Sequence, residues 1–180
     1  MSESTTLENL GWKQYIGKEM GSRTGEPVLA RHIRRYALAI DDPNPIYYDE
    51  DAAKKGKYGG LVAPPGYICW ATQNASSEKR VSELTEDGFT RGSFLAIPEI
   101  PNVWSLGWIR GGEEYEFYRP VRVGDRVSVK YKITDISEKL GKSGRLIFIT
   151  TEHTYTNQNG DLLAIHRITM IGTPRGKGTK

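Results

Sequence analysis

Apolar and polar residues change their spacing along the chain, and the change predicts helices first and strands last. After Pro27, the residues Leu29, Ile33, Tyr36, Ala37 and Ile40 recur at helical spacing, with Arg31, Arg34 and Arg35 on other faces. That spacing predicts an amphipathic helix of about three to four turns, and Pro27 suits its first turn, where a missing N–H would have had no partner. The helix ends at Asp41-Asp42-Pro43-Asn44-Pro45, because residues before proline disfavour helical geometry. A short helix is expected over Glu50 to Lys55, then a glycine/proline loop from Tyr58 to Gly66. Tyr67-Ile68-Cys69-Trp70-Ala71 is apolar on every side, the mark of a core helix enclosed by something larger.

Upstream of these elements, Gly17 and Gly21 read as turns. Downstream, Ser76 to Gly92 reads as an exposed polar helix or loop, and Pro98 to Leu106 as a connection without clear period. The last third reads as strands over Glu113–Tyr118, Arg126–Ile136, Arg145–Thr156 and Leu162–Ile171. In the second of these, Val127, Val129, Tyr131 and Ile133 alternate with Ser128, Lys130 and Lys132, which predicts one buried face. Leu140–Gly144 and Asn157–Gly160 read as turns, and Asn159-Gly160 suits the positive backbone angles of a tight hairpin. Helices followed by an antiparallel meander make the fold class α+β.

A chain of 180 residues with 37% hydrophobic residues is long and apolar enough for one domain with its own core. We expect that domain over residues 11–171, with a flexible polar leader over 1–10 and a flexible basic tail over 172–180. The 25 Lys and Arg nearly balance the 22 Asp and Glu, and without a basic stripe or finger spacing nucleic acid is not an expected partner. The single cysteine, Cys69, excludes an intramolecular disulfide. No apolar run approaches a membrane span and the first ten residues show no signal-peptide core, so a cytoplasmic location is expected.

The segment Tyr36 to Asp49 carries the most chemistry. It resembles the MaoC-like hydratase/dehydratase family, whose pattern is aromatic-x-x-x-(Gly)-Asp-x-Asn-Pro-(Ile/Leu)-His-x-Asp. Asp42, Asn44, Pro45, Ile46 and Asp49 match it position by position, as do Ala52 and Ala53 downstream. The Gly59–Pro65 loop and Tyr118-Arg119-Pro120-Val121 with Gly124-Asp125 resemble the family's N-terminal dehydratase-domain branch. The resemblance implies a hot-dog fold, an antiparallel sheet wrapped around a central helix, pairing into a double hot dog. It implies a substrate carried as a thioester of coenzyme A or acyl carrier protein, with no separate cofactor. Hydration or dehydration would then run on the motif's Asp and His, with a backbone N–H at the start of the central helix polarising the thioester carbonyl.

Two departures from the pattern stand out. Tyr47 occupies the position of the motif's His, and a phenol with a reference pKa near ~10 is a poor base at neutral pH. Where active relatives offer a glycine N–H, this chain reads Ala63-Pro64-Pro65-Gly66, and proline has no N–H. Gly66 and Tyr67 remain as donors only with a shift in register. The expected catalytic residues are therefore Asp42 and Tyr47 with Asn44 in support, and the expected substrate-binding residues are Ala63, Gly66, Tyr67 and Trp70. Subunits with degenerate motifs occur in this family beside partners that keep Asp and His. The resemblance thus implies a partner subunit of an enoyl-thioester hydratase or 3-hydroxyacyl-thioester dehydratase, paired as a homo- or hetero-oligomer with a subunit carrying the intact motif. The alternatives are a self-sufficient hydratase using Asp42 and Tyr47, or a non-catalytic acyl-thioester-binding protein.

Plainer roles compete at each position. Asp42 and Asn44 sit in good turn chemistry, and Tyr48 reads as an ordinary half-buried aromatic. His166 shares its parity with Leu162, Ala164, Ile168 and Met170, which predicts burial in a strand; His32 reads as exposed, and His153 lies in another strand. None of the histidines has metal-ligand spacing, so no metal is expected. Trp70, Trp104 and Trp108 with Tyr67 are candidates for an acyl tunnel, and Arg119, Arg122 and Lys130 for phosphate contacts, although plain core and a solvated face are the ordinary roles of such residues.

Overall fold

In the computed structural model, which describes residues 7–72, 98–141 and 144–174, five antiparallel strands form one sheet in the order β1-β3-β4-β5-β2. The strands are β1 (Glu19–Thr24), β2 (Leu106–Phe117), β3 (Ser128–Gly141), β4 (Gly144–Thr156) and β5 (Leu162–Pro174). Four helices accompany them: α1 (Leu7–Leu10), α2 (Ala30–Ala39), α3 (Glu50–Lys55) and α4 (Tyr67–Ala71). The sheet curves against α4, so the architecture is the α+β hot dog, with Tyr67, Ile68 and Ala71 packed among Val127, Val129, Tyr155, Leu163 and Ala164. Among the described residues no helix is long and apolar enough to cross a membrane.

The structure corrects the reading in several places. Residues 19–24, a stretch given no element in the sequence beyond a turn at Gly21, form β1, which pairs with β3. The stretch Glu-Met-Gly-Ser-Arg-Thr lacks apolar alternation because an edge strand packs on one neighbour and keeps its other side wet. Gly17 does turn the chain, at φ 82°, whereas Gly21 lies within the strand, where a Cβ would stand 2.9 Å from the Tyr131 hydroxyl. β2 begins at Leu106, upstream of the expected Glu113, because Gly111-Gly112 holds a register shift instead of breaking the strand. Asn159 does not share the positive φ of Gly160; Asn157 holds that hairpin, its Oδ1 accepting from the N–H groups of Asn159 and Asp161. Leu7 is buried and β5 runs to Pro174.

The expected alternation in β3 holds through Val129 and Ile133, and then changes phase. A register shift between Ile133 and Asp135 inserts one extra residue against β4, so Ile133 and Ile136 both face inward. These two isoleucines belong to a second core cluster, with Leu7, Trp12, Val103, Ile147 and Ile149. Trp104 and Trp108 pack here, with Trp108 stacked on Trp12 at 6.4 Å. Of the four aromatics proposed for one tunnel, Tyr67 belongs to the first cluster, Trp104 and Trp108 to the second, and Trp70 is exposed beside Tyr67. Ser76 to Gly92 lies outside the described residues.

A close approach ties α4 to the sheet. Gly25 donates its N–H to Val127 O at 2.8 Å, and a Cβ on it would stand 2.0 Å from the carbonyl oxygen of Ala71. Only glycine lets the chain after β1 pass the end of α4 at this distance.

Candidate active site

Asp42 is placed by the way α2 ends. The N–H of Asp42 bonds to Ala37 O at 3.0 Å and that of Asp41 to Leu38 O at 3.2 Å, the paired bonds of a Schellman cap. The left-handed residue of such a cap is usually glycine; here Asp41 takes it, at φ 54°. Aspartate tolerates that conformation better than most residues, through its short polar side chain. The backbone then folds on its own side chains. Asp42 Oδ1 accepts from Asn44 N–H at 3.1 Å, and Asn44 Oδ1 accepts from Ile46 N–H at 3.2 Å, opening a turn of 3-10 helix over Pro45–Tyr47. Asp49 Oδ1 accepts from the N–H groups of Asp51 and Ala52, at 2.9 and 3.0 Å, and caps α3. Arg34 pins the loop from α2, donating to Tyr48 O and pairing with Glu50.

Asp42 and Tyr47 face different ways. Asp42 lines an open depression of about 410 Å³ together with Asp41, Asp49, Leu38 and Tyr48. Tyr47 lies in the core cluster around α4 and is 7% exposed. Burial is the main cause that raises its phenol pKa, aided by the neighbouring Asp42 charge and by Tyr58. It is therefore a protonated hydroxyl at neutral pH, able to donate and unsuited to take a proton. No histidine hydrogen-bonds Asp42 among the described residues.

The loop before α4 commits most of its amides. Ala63 N–H bonds Val121 O at 2.8 Å, Tyr67 N–H bonds Pro64 O at 2.9 Å and Ile68 N–H bonds Pro65 O at 3.3 Å. Pro64 and Pro65 have none to give, and between Ala63 and Ile68 the Gly66 amide bonds nothing among the described residues. The Tyr36 hydroxyl approaches it: a Cβ on Gly66 would stand 2.7 Å from that oxygen. Ala63, Ile68, Phe117 and Arg119 line a second depression of about 340 Å³. Tyr67 does not reach either depression; it is buried edge-on to Tyr36, and burial pushes its phenol up to about 12. Trp70 is half-exposed beside His32. The structure thus brings Asp42, Asn44 and Asp49 into one loop and Ala63 and Gly66 into another, with Tyr47 and Tyr67 beneath them. Arg119 pairs with Asp161 and Lys130 with Glu19, which partners two of the three candidate phosphate contacts.

The sequence of this chain matches the family described as FAS1-like, dehydratase domain region, over residues 14–166. The chain belongs to that family. Its likeness extends to individual proteins of the MaoC-like hydratase and dehydratase group. It is 30% identical over 163 residues to a "Probable enoyl-CoA hydratase alpha subunit" of Thermomonospora curvata, covering 85% of this chain and 48% of that one. The chain therefore spans about half the length of that relative. Among solved structures it resembles the ChsH1-ChsH2 complex from Mycobacterium tuberculosis, with a TM-score of 0.66, 22% identity and coverage of 89% and 87% of the two chains. A MaoC-like dehydratase from Rhodospirillum rubrum gives a TM-score of 0.60 at 22% identity, covering 88% and 94%.

In this FAS1-like dehydratase-region protein Asp42 stands at a helix end and Gly66 in the loop that opens the central helix. Among the described residues no three His, Cys, Asp or Glu side chains gather as a metal would require. Two features escaped the sequence reading. The Tyr36 hydroxyl over Gly66 joins residues thirty positions apart, beyond any local pattern. The strand parity of His166 predicted its burial, but nothing in that parity announced its partners, Glu113 and Cys69.

Proposed function

We propose that this protein is the partner subunit of an enoyl-thioester hydratase or 3-hydroxyacyl-thioester dehydratase, shaping the acyl site for a subunit that supplies the Asp and His pair. The observation that carries the reading is Asp42 without an imidazole, next to a phenol that burial keeps protonated. Water addition to an enoyl thioester needs a group that takes a proton near neutral pH, and histidine is the usual one. Two further features support a partner. The similar hydratase is named an alpha subunit. Among the described residues the long edge strand β2 has β5 as its one neighbour in the sheet and exposes Ile109 and Phe117, an edge suited to a second sheet. The substrate in this reading is an acyl thioester of coenzyme A or a carrier protein.

The test is hydration of crotonyl-CoA by the purified chain, alone and mixed with a hot-dog subunit carrying the intact Gly-Asp-x-Asn-Pro-x-His motif. The expected result is negligible turnover alone and turnover on mixing, lost when the partner's histidine is replaced. Robust turnover by the isolated chain, abolished by Asp42→Ala or Tyr47→Phe, overturns the reading in favour of a self-sufficient hydratase. Thioester binding that never leads to turnover with any such partner overturns it in favour of a binding protein.

A further inference from the structure

Away from Asp42, a thiol, an imidazole and a carboxylate line up between α4 and the sheet. Cys69 Sγ lies 3.7 Å from His166 Nδ1, and His166 Nε2 lies 2.8 Å from Glu113 Oε2. An ionised carboxylate only accepts, so Nε2 carries the proton and the Nδ1 lone pair faces the thiol. Burial works against the charge of Glu113, but its bonds from His166 and Arg110 outweigh burial and hold its pKa below the usual carboxylate value. Burial lowers the pKa of His166, against the opposing pull of Glu113, so the ring is a neutral acceptor at neutral pH. Tyr115 stacks flat on that ring at 3.7 Å; its hydroxyl donates to Glu113 Oε2 at 3.3 Å and lies 3.1 Å from Cys69 Sγ. Tyr155 offers a second hydroxyl at 3.5 Å. His166 and Tyr155 are each 2% exposed, while Cys69 is only partly buried. Cys69 thus lies, with Glu113 and Tyr115, on the more open side of the cluster. A nucleophile, a base, a group orienting the base and a hydroxyl donor together make the constellation of covalent catalysis.

We propose that Cys69 is an acyl-accepting nucleophile, taking an acyl group from a thioester by thiol–thioester exchange. The thiol proton passes to His166 Nδ1 as Sγ bonds to the carbonyl carbon. Glu113 stabilises the imidazolium, and the Tyr155 hydroxyl, which burial keeps protonated, donates to the oxyanion. The carbon–sulfur bond to the carrier then breaks, and the carrier thiolate leaves with the proton from Nδ1. The product is an acyl-S-Cys69 protein and a free carrier thiol, with no oxidant or further reactant. The acyl-thioester class of the donor rests on the hydratase-family reading above; the reactivity of the thiol rests on the geometry alone. Glu113 acts through His166 and is a positioning residue.

The test uses the full chain with S-butyryl-N-acetylcysteamine, a small thioester that needs no coenzyme A site, followed by intact-protein and peptide mass spectrometry. The expected result is one butyryl group on Cys69 and an equal amount of released thiol, both absent in Cys69→Ala. Glu113→Gln, its fold checked by circular dichroism, is expected to slow acyl transfer and iodoacetamide labelling of Cys69 by on the order of 10-fold or more. It should also move the pH at which labelling is half-maximal. Arg110, Glu113 and Tyr115 from β2, His153 and Tyr155 from β4, and Tyr36 from α2 are the other ionisable groups around the thiol and its imidazole. Absence of a butyryl adduct, or labelling no faster than that of glutathione and unchanged in Glu113→Gln, overturns the proposal. Crotonyl-CoA hydration by Cys69→Ala with the intact-motif partner reports on the hydratase reading separately, because Asp42 and Tyr47 are untouched.

Discussion

Asp41 carries the left-handed turn on which the position of Asp42 depends. A non-glycine residue there stores strain of order 1–3 kcal/mol in general, less for aspartate than for a branched side chain. Asp41→Gly is expected to leave stability unchanged or raise it by up to about 1 kcal/mol. Asp41→Val should lower it by about 1–2 kcal/mol, and urea denaturation of the two variants measures the difference. Asp49 is a cap with two backbone bonds, so Asp49→Ala is expected to cost about 1 kcal/mol of stability. Loss of hydration by an active mixed enzyme at unchanged stability would show that its carboxylate does more than cap. At this scale the motif was legible as a string of residue types, but the duties within it were not. Asn44 and Asp49 spend their side chains on nearby amides, and Tyr47 turns inward, because the cap of α2 sets the direction of the whole loop. A spacing pattern records which residues stand near one another and not which way a turn points them.

Elements with a strong period were readable, and those whose contacts run to one side were not. The apolar stripe of α2 and the all-apolar α4 announced themselves; β1 did not, because as an edge strand with a polar sequence it has no buried row. β2 was shortened at Gly111-Gly112, where glycines that suggest a break instead admit Ile171 beside the backbone. The seating of α4 against the sheet turns on Gly25. Gly25→Ala places a Cβ 2.0 Å from Ala71 O, a backbone atom that cannot swing aside, and should cost about 3 kcal/mol or more. Gly60→Ala, where a Cβ meets nothing within 4 Å, is the control and should change stability by less than about 0.5 kcal/mol. Equal denaturation midpoints for the two variants would show that the approach of Gly25 to α4 does not constrain the fold.

For the molecule as a whole, acid is expected to act in two stages. Burial, with the nearby His166, drives the pKa of His153 from 6.5 down to about 4. The folded state therefore resists a proton that the unfolded chain accepts, so stability is full above 6.5 and falls as pH drops toward 4. The loss from this residue is at most about 3 kcal/mol. Glu113 and Glu152 have pKa values held low in the fold, so their contribution is lost below their unfolded value of 4.5, a separate stage. Thermal melts from neutral pH to about 4 should show the first stage, flattened in His153→Gln, which can still bond the Thr151 hydroxyl. A melting temperature constant over that range would refute buried neutral histidines in this sheet. The same sheet carries the extra residue between Ile133 and Asp135, and with it a constraint on phase. Val129 feeds one core cluster and Ile136 the other, in phases that differ by that single insertion. Were Thr134 drawn into the ladder and the bulge lost, Ile136 would turn to solvent, with Asp135 and Ser137 taking its place inside. Deleting Thr134 instead leaves Ile133 and Ile136 two residues apart on one face, so loss of that codon removes the local bend and keeps both rows inward.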